Sequence, residues 1–115
     1  MKDPWDDFRI RYFMLDGKTP VAAESAQQWA DWRSDADHVV KQTHFEGAMV
    51  STIFTGIPFE YAGLMFETMV FGTATHDLEQ RRYNTWDEAA AGHDAIVAEL
   101  LSLGETLRPD PEGDA

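Results

Sequence analysis

Apolar and polar side chains alternate with a period of two through His38–Phe45 and again through Ala48–Thr55, as in strands that bury one face. Glu46-Gly47 between them predicts a hairpin. In the second of these strands Val50, Thr52 and Phe54 share one face, and Met49, Ser51 and Ile53 the other. Leu64–Phe71 is apolar on both faces apart from Glu67 and Thr68, which suits a central strand covered on both sides or one face meeting a partner. Phe8–Leu15 is predicted as a first strand, with Phe8, Ile10, Tyr12 and Met14 opposite Arg9 and Arg11, ending at the turn residues Asp16-Gly17. Gly56–Gly63 carries a proline, two glycines, Phe59 and Tyr61, and reads as a loop packed by its own rings. Gly72–Glu79 is a polar connection, and Gln80–Tyr83 is compatible with a short last strand.

Two stretches repeat every 3.6 residues instead. In Val21–Ala36 one face collects Ala22, Ala26, Trp29, Trp32 and Ala36, and the opposite one Glu24, Asp31 and Asp35. Two starts fit this helix: Thr19-Pro20, with proline at the first helical position, or a capping box from Ser25 to Gln28. Near the C-terminus, Thr85-Trp86-Asp87-Glu88 is a second capping box that puts two acids where the helix dipole favours them. Trp86, Ala89, Ala90, His93, Ile96, Val97, Leu100 and Leu101 then fall in one arc, and Gly104 stands where a C-terminal cap glycine belongs. The order β-α-β-β-β-(β)-α predicts an α+β fold: a single antiparallel sheet of four to five strands carrying two amphipathic helices, most simply on one face. Residues 1–107 are expected to form one acidic domain and residues 108–115 a mobile acidic tail.

The chain has 115 residues, 21 Asp plus Glu, 9 Lys plus Arg and no cysteine, for a net charge of −12. The absence of cysteine removes disulfides and thiolate zinc sites, and a chain this long buries a core without them. Residues 77–115 carry −7 of the charge and residues 38–76 only −2, so the acidic excess flanks a nearly uncharged, β-rich middle. Clustered Lys and Arg are missing, which argues against direct binding of nucleic-acid phosphates. No apolar run approaches the roughly 18 residues of a membrane span, and Met1–Asp7 lacks the pattern of a secretory signal.

No nucleophile elbow, phosphate loop, HExxH pair or EF-hand is present. His38 and His44 are six apart on one predicted strand, on the same face but too distant to share a metal, and His76 lies in a loop. Metal ligands usually show paired spacing, so neither a metal nor another cofactor is expected. His93, central in the last helix's apolar arc, reads as a buried imidazole satisfied by a backbone carbonyl or a sheet side chain. Glu67 either faces solvent, meets Arg81, Arg82 or His93, or is a lone buried carboxylate with a raised pKa. The expected core anchors are Trp29, Trp32, Phe54, Phe66, Trp86 and His93. The expected acidic interaction surface is Asp31, Asp35, Asp87, Glu88, Asp94 and Glu99, unless that charge serves solubility alone.

Three runs, Met49–Gly56, Leu64–Gly72 and Tyr83-Asn84-Thr85-Trp86-Asp87-Glu88-Ala89 with Gly92-His93, resemble a family of small uncharacterised proteins encoded by bacteriophages and prophages. The likeness extends over most of residues 12–100 and lies in strand and helix motifs, without a catalytic signature. The chain departs from the family at Ile57–Gly63, where relatives carry an Asp-His and a Gly/Pro-rich stretch, so no ligand role for that histidine carries over. The resemblance implies phage origin, a cytoplasmic location in the bacterial host cell and no particular activity. Three functions are compatible with these features. The first is a non-enzymatic interaction protein, in its sharper form a nucleic-acid mimic filling a basic groove of a host or phage protein, of anti-defence or host-takeover type. The second is a structural or assembly module of a phage that self-associates through the sheet's second face, so that the chain is a homodimer in this reading and a monomer or homodimer in the first. The third is a small enzyme or metal site built from Glu67, His76 and His93.

Overall fold

The computed structural model describes residues 12–35, 38–59 and 64–108. The strands are β1 (Phe13–Asp16), β2 (Thr19–Ala22), β3 (Val39–Phe45), β4 (Ala48–Phe59), β5 (Leu64–Phe71) and β6 (Gln80–Tyr83). The helices are α1 (Ala26–Asp35) and α2 (Trp86–Ser102). The fold is α+β. An antiparallel sheet runs in the order β3-β4-β5-β6, and β1 and β2 form a separate two-stranded sheet.

The first strand therefore stays outside the main sheet, and the chain forms a hairpin where the helical wheel began its helix. β1 pairs with β2 from Phe13↔Ala22 to Asp16↔Thr19. This leaves a two-residue turn with Gly17 first at φ +63°, a conformation that favours glycine. Pro20 mimics a helix start in sequence, yet a two-stranded ribbon also accepts proline where no ladder donor is needed. The helix begins six residues later, at the Ser25 alternative. The Gln28 N–H donates to Ser25 Oγ at 3.0 Å, and Gln28 Oε1 accepts from the Glu24 N–H at 2.6 Å. Residues 8–11 of the predicted first strand, and Ala36 and Asp37 after α1, lie outside the described residues.

β4 runs past the predicted loop boundary at Gly56 as far as Phe59, whose partner is Leu64. The pairing is irregular between Phe54 and Phe59, and Gly56 sits in that interval at φ +75°. A Cβ there would collide with the Phe13 carbonyl oxygen and with Trp29 Nε1. Glycine thus lets β4 pass directly beneath β1 and α1. The first half of the loop expected over Gly56–Gly63 is therefore strand, and residues 60–63 lie outside the described residues.

α2 matches its sequence signals. The Glu88 N–H donates to Thr85 Oγ1 at 3.1 Å. At the other end Gly104 adopts φ +95°, and the N–H groups of Gly104 and Glu105 reach the carbonyls of Leu101 and Leu100, a Schellman ending. Ala89, His93, Ile96 and Leu100 are buried, whereas Leu101, expected in the same arc, is exposed. The arc is narrower because the helix meets the sheet along a single seam.

One sheet face carries Val50, Thr52 and Phe54 on β4 and Phe66, Thr68 and Val70 on β5, all fully buried. α2 covers it in two apolar clusters. One joins Phe45, Val50, Val70, Ile96 and Leu100. The other joins Phe54, Phe66 and Ala89, with Phe13, Leu15, Trp32 and Trp86 packed around it. The β1–β2 hairpin and α1 thus close the second cluster on the side that α2 covers. Beyond α2 the chain returns to the free edge of β3: the Glu46 N–H donates to the Thr106 carbonyl, Phe45 pairs with Leu107, and the Arg108 N–H donates to the His44 carbonyl. An open strand edge is thereby covered. Arg108, the first residue of the predicted tail, is docked by this bond, and residues 109–115 lie outside the described residues. No described helix is long and apolar enough to cross a membrane.

Candidate functional site

A polar row crosses the covered face between the two apolar clusters. The registers align Lys41 on β3, Thr52 on β4, Thr68 on β5 and Arg81 on β6. Residues paired across antiparallel strands point to the same face, so all four aim at α2. His93 comes down from α2 onto the middle of the row with no exposed surface. Its Nδ1 lies 2.8 Å from Thr52 Oγ1 and its Nε2 lies 2.7 Å from Thr43 Oγ1. Thr52 is in turn hydrogen-bonded to Thr68.

Both ring nitrogens are satisfied by hydroxyls, which donate or accept as needed, so a neutral imidazole fits in either tautomer. When Nδ1–H donates to Thr52, Thr52 donates to Thr68 and Thr43 donates to Nε2. In the other tautomer each of those donors reverses. Burial pushes the His93 pKa below its usual 6.5, the Lys41 charge adds to this, and Asp94 acts in the opposite sense. Of the two partners the sequence allows, sheet side chains are the ones found. Thr43 and Thr52 were not evident as its partners from sequence, nor Thr68 as the partner of Thr52. Their only signal is inward-facing threonine on three successive strands beneath a histidine in an apolar arc.

The ends of the row are ion pairs that clasp α2. Lys41 Nζ meets Asp94 Oδ1 at 2.6 Å. Arg81 donates to Glu79 at 2.7 Å and to Glu99 at 2.9 Å, and His76 Nε2 lies 3.5 Å from the same Glu99 oxygen. The hydrogen bond from Arg81 holds the Glu99 carboxyl below the usual carboxylate range.

The structure does not bring Glu67, His76 and His93 together. Glu67 pairs in register with Ile53 and Arg82 on the face away from α2, with Arg82 Nη2 at 3.9 Å. His76 sits in the β5–β6 connection, with Nδ1 at 2.7 Å from Thr75 Oγ1. An irregularity between Val39 and Lys41 brings Val39, rather than His38, into line with His44 on that outer face, which corrects the reading of the two histidines as sharing a face. Among the described residues no three His, Asp or Glu side chains are grouped to hold a metal ion.

The six acids of the expected surface are in unlike situations. Asp94 and Glu99 are tied to Lys41 and Arg81. Asp31 is exposed and accepts from Gln27 Nε2 at 2.8 Å. Asp87 and Glu88 are exposed in the first turn of α2, and Asp35 ends α1. Asp87 also borders a cavity of about 300 Å³ between the β1–β2 turn and α2, where Lys18 Nζ lies 5.7 Å from the centre of the Trp86 ring.

Among the expected core anchors, Phe54, Phe66 and His93 are fully buried, while Trp29, Trp32 and Trp86 are half-buried at the rim. Trp32 meets Phe54 edge-on at 5.9 Å and Trp86 meets Phe66 edge-on at 6.4 Å. Trp29 stacks obliquely on Tyr12 at 4.9 Å and lies 5.6 Å from the Arg33 guanidinium, whose Nη1 donates to the Phe54 and Thr55 carbonyls. Trp29 Nε1 and the Tyr83 hydroxyl are buried without a hydrogen-bond partner among the described residues. Compared with protein-family models, curated proteins and solved structures, the chain finds no match in any of the three.

Proposed function

We propose that this chain is a non-enzymatic, phage-type interaction protein whose helical side docks on a basic surface of a host or phage protein. In its sharper form it imitates nucleic acid in a groove built for phosphates. One observation carries the reading: Asp31, Asp87 and Glu88 stand exposed on the two helices with no Lys or Arg partner among the described residues. Such uncompensated charge on a chain of −12 attracts basic partners and repels nucleic acid. The polar groups best suited to chemistry support the same reading, because both His93 nitrogens are used to hold α2 on the sheet. The expected setting is the bacterial cytoplasm, and no cofactor is required.

The test is capture from bacterial lysate on the immobilised chain at about 50 mM salt, followed by elution with short duplex DNA. Partners held by the wild type, released by DNA and absent from the triple variant Asp31→Lys, Asp87→Lys, Glu88→Lys are expected. Partners retained equally by that variant, or unmoved at 1 M salt, would overturn the electrostatic reading.

A further inference from the structure

We infer that the sheet face turned away from α2 is a self-association surface, and that its occupant is a second copy of this chain stacked face to face. This inference is independent of the acidic docking side. The face is built by Met49, Ser51 and Ile53 on β4 and by Glu67, Met69 and Phe71 on β5, which pair across it in register. Phe71 is 38% exposed, the other five are half-buried, and no described helix packs over them.

Charge identifies the occupant. In a molecule of −12, the acids of this face reduce, among the described residues, to Glu67, and Arg82 lies 3.9 Å from it. Two strongly acidic copies repel through most of their surfaces, but not through a neutral, Met-rich one. Stacked sheets lie about 10 Å apart, and each helix layer lies roughly another 10 Å out. The acidic helices of the two copies would thus be separated by about 30 Å, well beyond the screening length of about 8 Å at physiological salt. The same stacking leaves Asp31, Asp87 and Glu88 pointing outward on both copies.

Area sets the strength. Four strands about 4.8 Å apart and about seven residues long cover roughly 450 Å² per copy. About 900 Å² in total is below the 1,200 Å² at which stable interfaces begin, so the dimer is weak and concentration-dependent.

The experiment is sedimentation equilibrium of the full chain from about 10 μM to 1 mM. The mass should rise from 13.0 kDa toward twice that value. Ser51→Glu with Met69→Glu should hold it at the monomer mass, as should Ser51→Lys with Met69→Lys. An equimolar mixture of the two variants should associate again, which shows that both are folded and that the faces meet. Asp87→Lys on the helical side should leave the wild-type curve unchanged. A wild type that stays monomeric at 1 mM, a dimer indifferent to charge on this face, or a mixture that stays monomeric would each overturn the proposal.

Discussion

His93 shows how a single buried side chain ties the fold to pH. Its folded pKa lies below 6.5 because burial and the nearby Lys41 charge disfavour the imidazolium. Below 6.5 the unfolded chain therefore binds a proton that the folded chain resists, and stability must fall with falling pH until the lowered value is passed. Above 6.5 both states are neutral and this contribution is flat. Denaturation midpoints between pH 8 and 5 should show that decline, and His93→Gln should flatten it. Glu99 acts in a separate, more acidic window: its lowered pKa adds stability above about 4.5 that is lost as pH falls through the folded value. Thr52→Val removes the partner of both Nδ1 and Thr68, and chemical denaturation should show a loss of about 1–3 kcal/mol. Tyr83→Phe should be neutral or stabilising by up to about 1 kcal/mol, since its hydroxyl is buried with no partner among the described residues. Against the same ring, a Cβ on Gly92 has no room. Gly92→Ala should therefore destabilise by about 1–3 kcal/mol, although alanine favours a helix.

Where an element is long or carries its own caps, its sequence makes it readable. β3 and β4 alternate over seven or more residues, β5 is an apolar run of eight interrupted only by Glu67 and Thr68, and α2 has a Thr85 cap, two acids in its first turn and Gly104 at its end. β1 and β2 are four residues each, too short to establish a period. Pro20 also imitates a helical first position, so the hairpin is disguised as the start of α1. The buried anchor His93 is visible from its place in the arc of α2. The line of Lys41, Thr52, Thr68 and Arg81 beneath it depends on register across four strands, which no local pattern encodes. The elements also differ in how firmly they are held. α2 is bound by two apolar clusters, the His93 hydrogen bonds and ion pairs on both flanks. α1 rests on half-buried Trp29 and Trp32 and on Arg33 reaching two carbonyls of β4. Hydrogen exchange should therefore open α1 and the β1–β2 hairpin well before β4, β5 and α2. Arg33→Met, which leaves the Phe54 and Thr55 carbonyls without this donor, should speed exchange in α1 while leaving α2 protected.

At the level of the whole molecule, the distribution of charge opposes the compactness that the sheet and helices create. Every copy carries −12, and folding gathers that charge onto one small surface. Three of the ion pairs that offset it, Lys41–Asp94, Arg81–Glu79 and Arg81–Glu99, are exposed or partly exposed. Exposed pairs of this kind are worth about 0–1 kcal/mol each. Salt weakens these few attractions, but it also screens the repulsion among many unpaired acids, including Asp31, Asp87 and Glu88. Repulsion has more contributors and a longer range, so screening it should win. The melting temperature should therefore rise between 20 mM and 500 mM NaCl, and the rise should shrink in the Asp31→Lys, Asp87→Lys, Glu88→Lys variant. A melting temperature that falls with salt would mean that the clasps on α2, rather than the acidic excess, dominate the electrostatics. In that event the exposed acids would be close to neutral in effect, and the case for a basic docking partner would lose its physical basis.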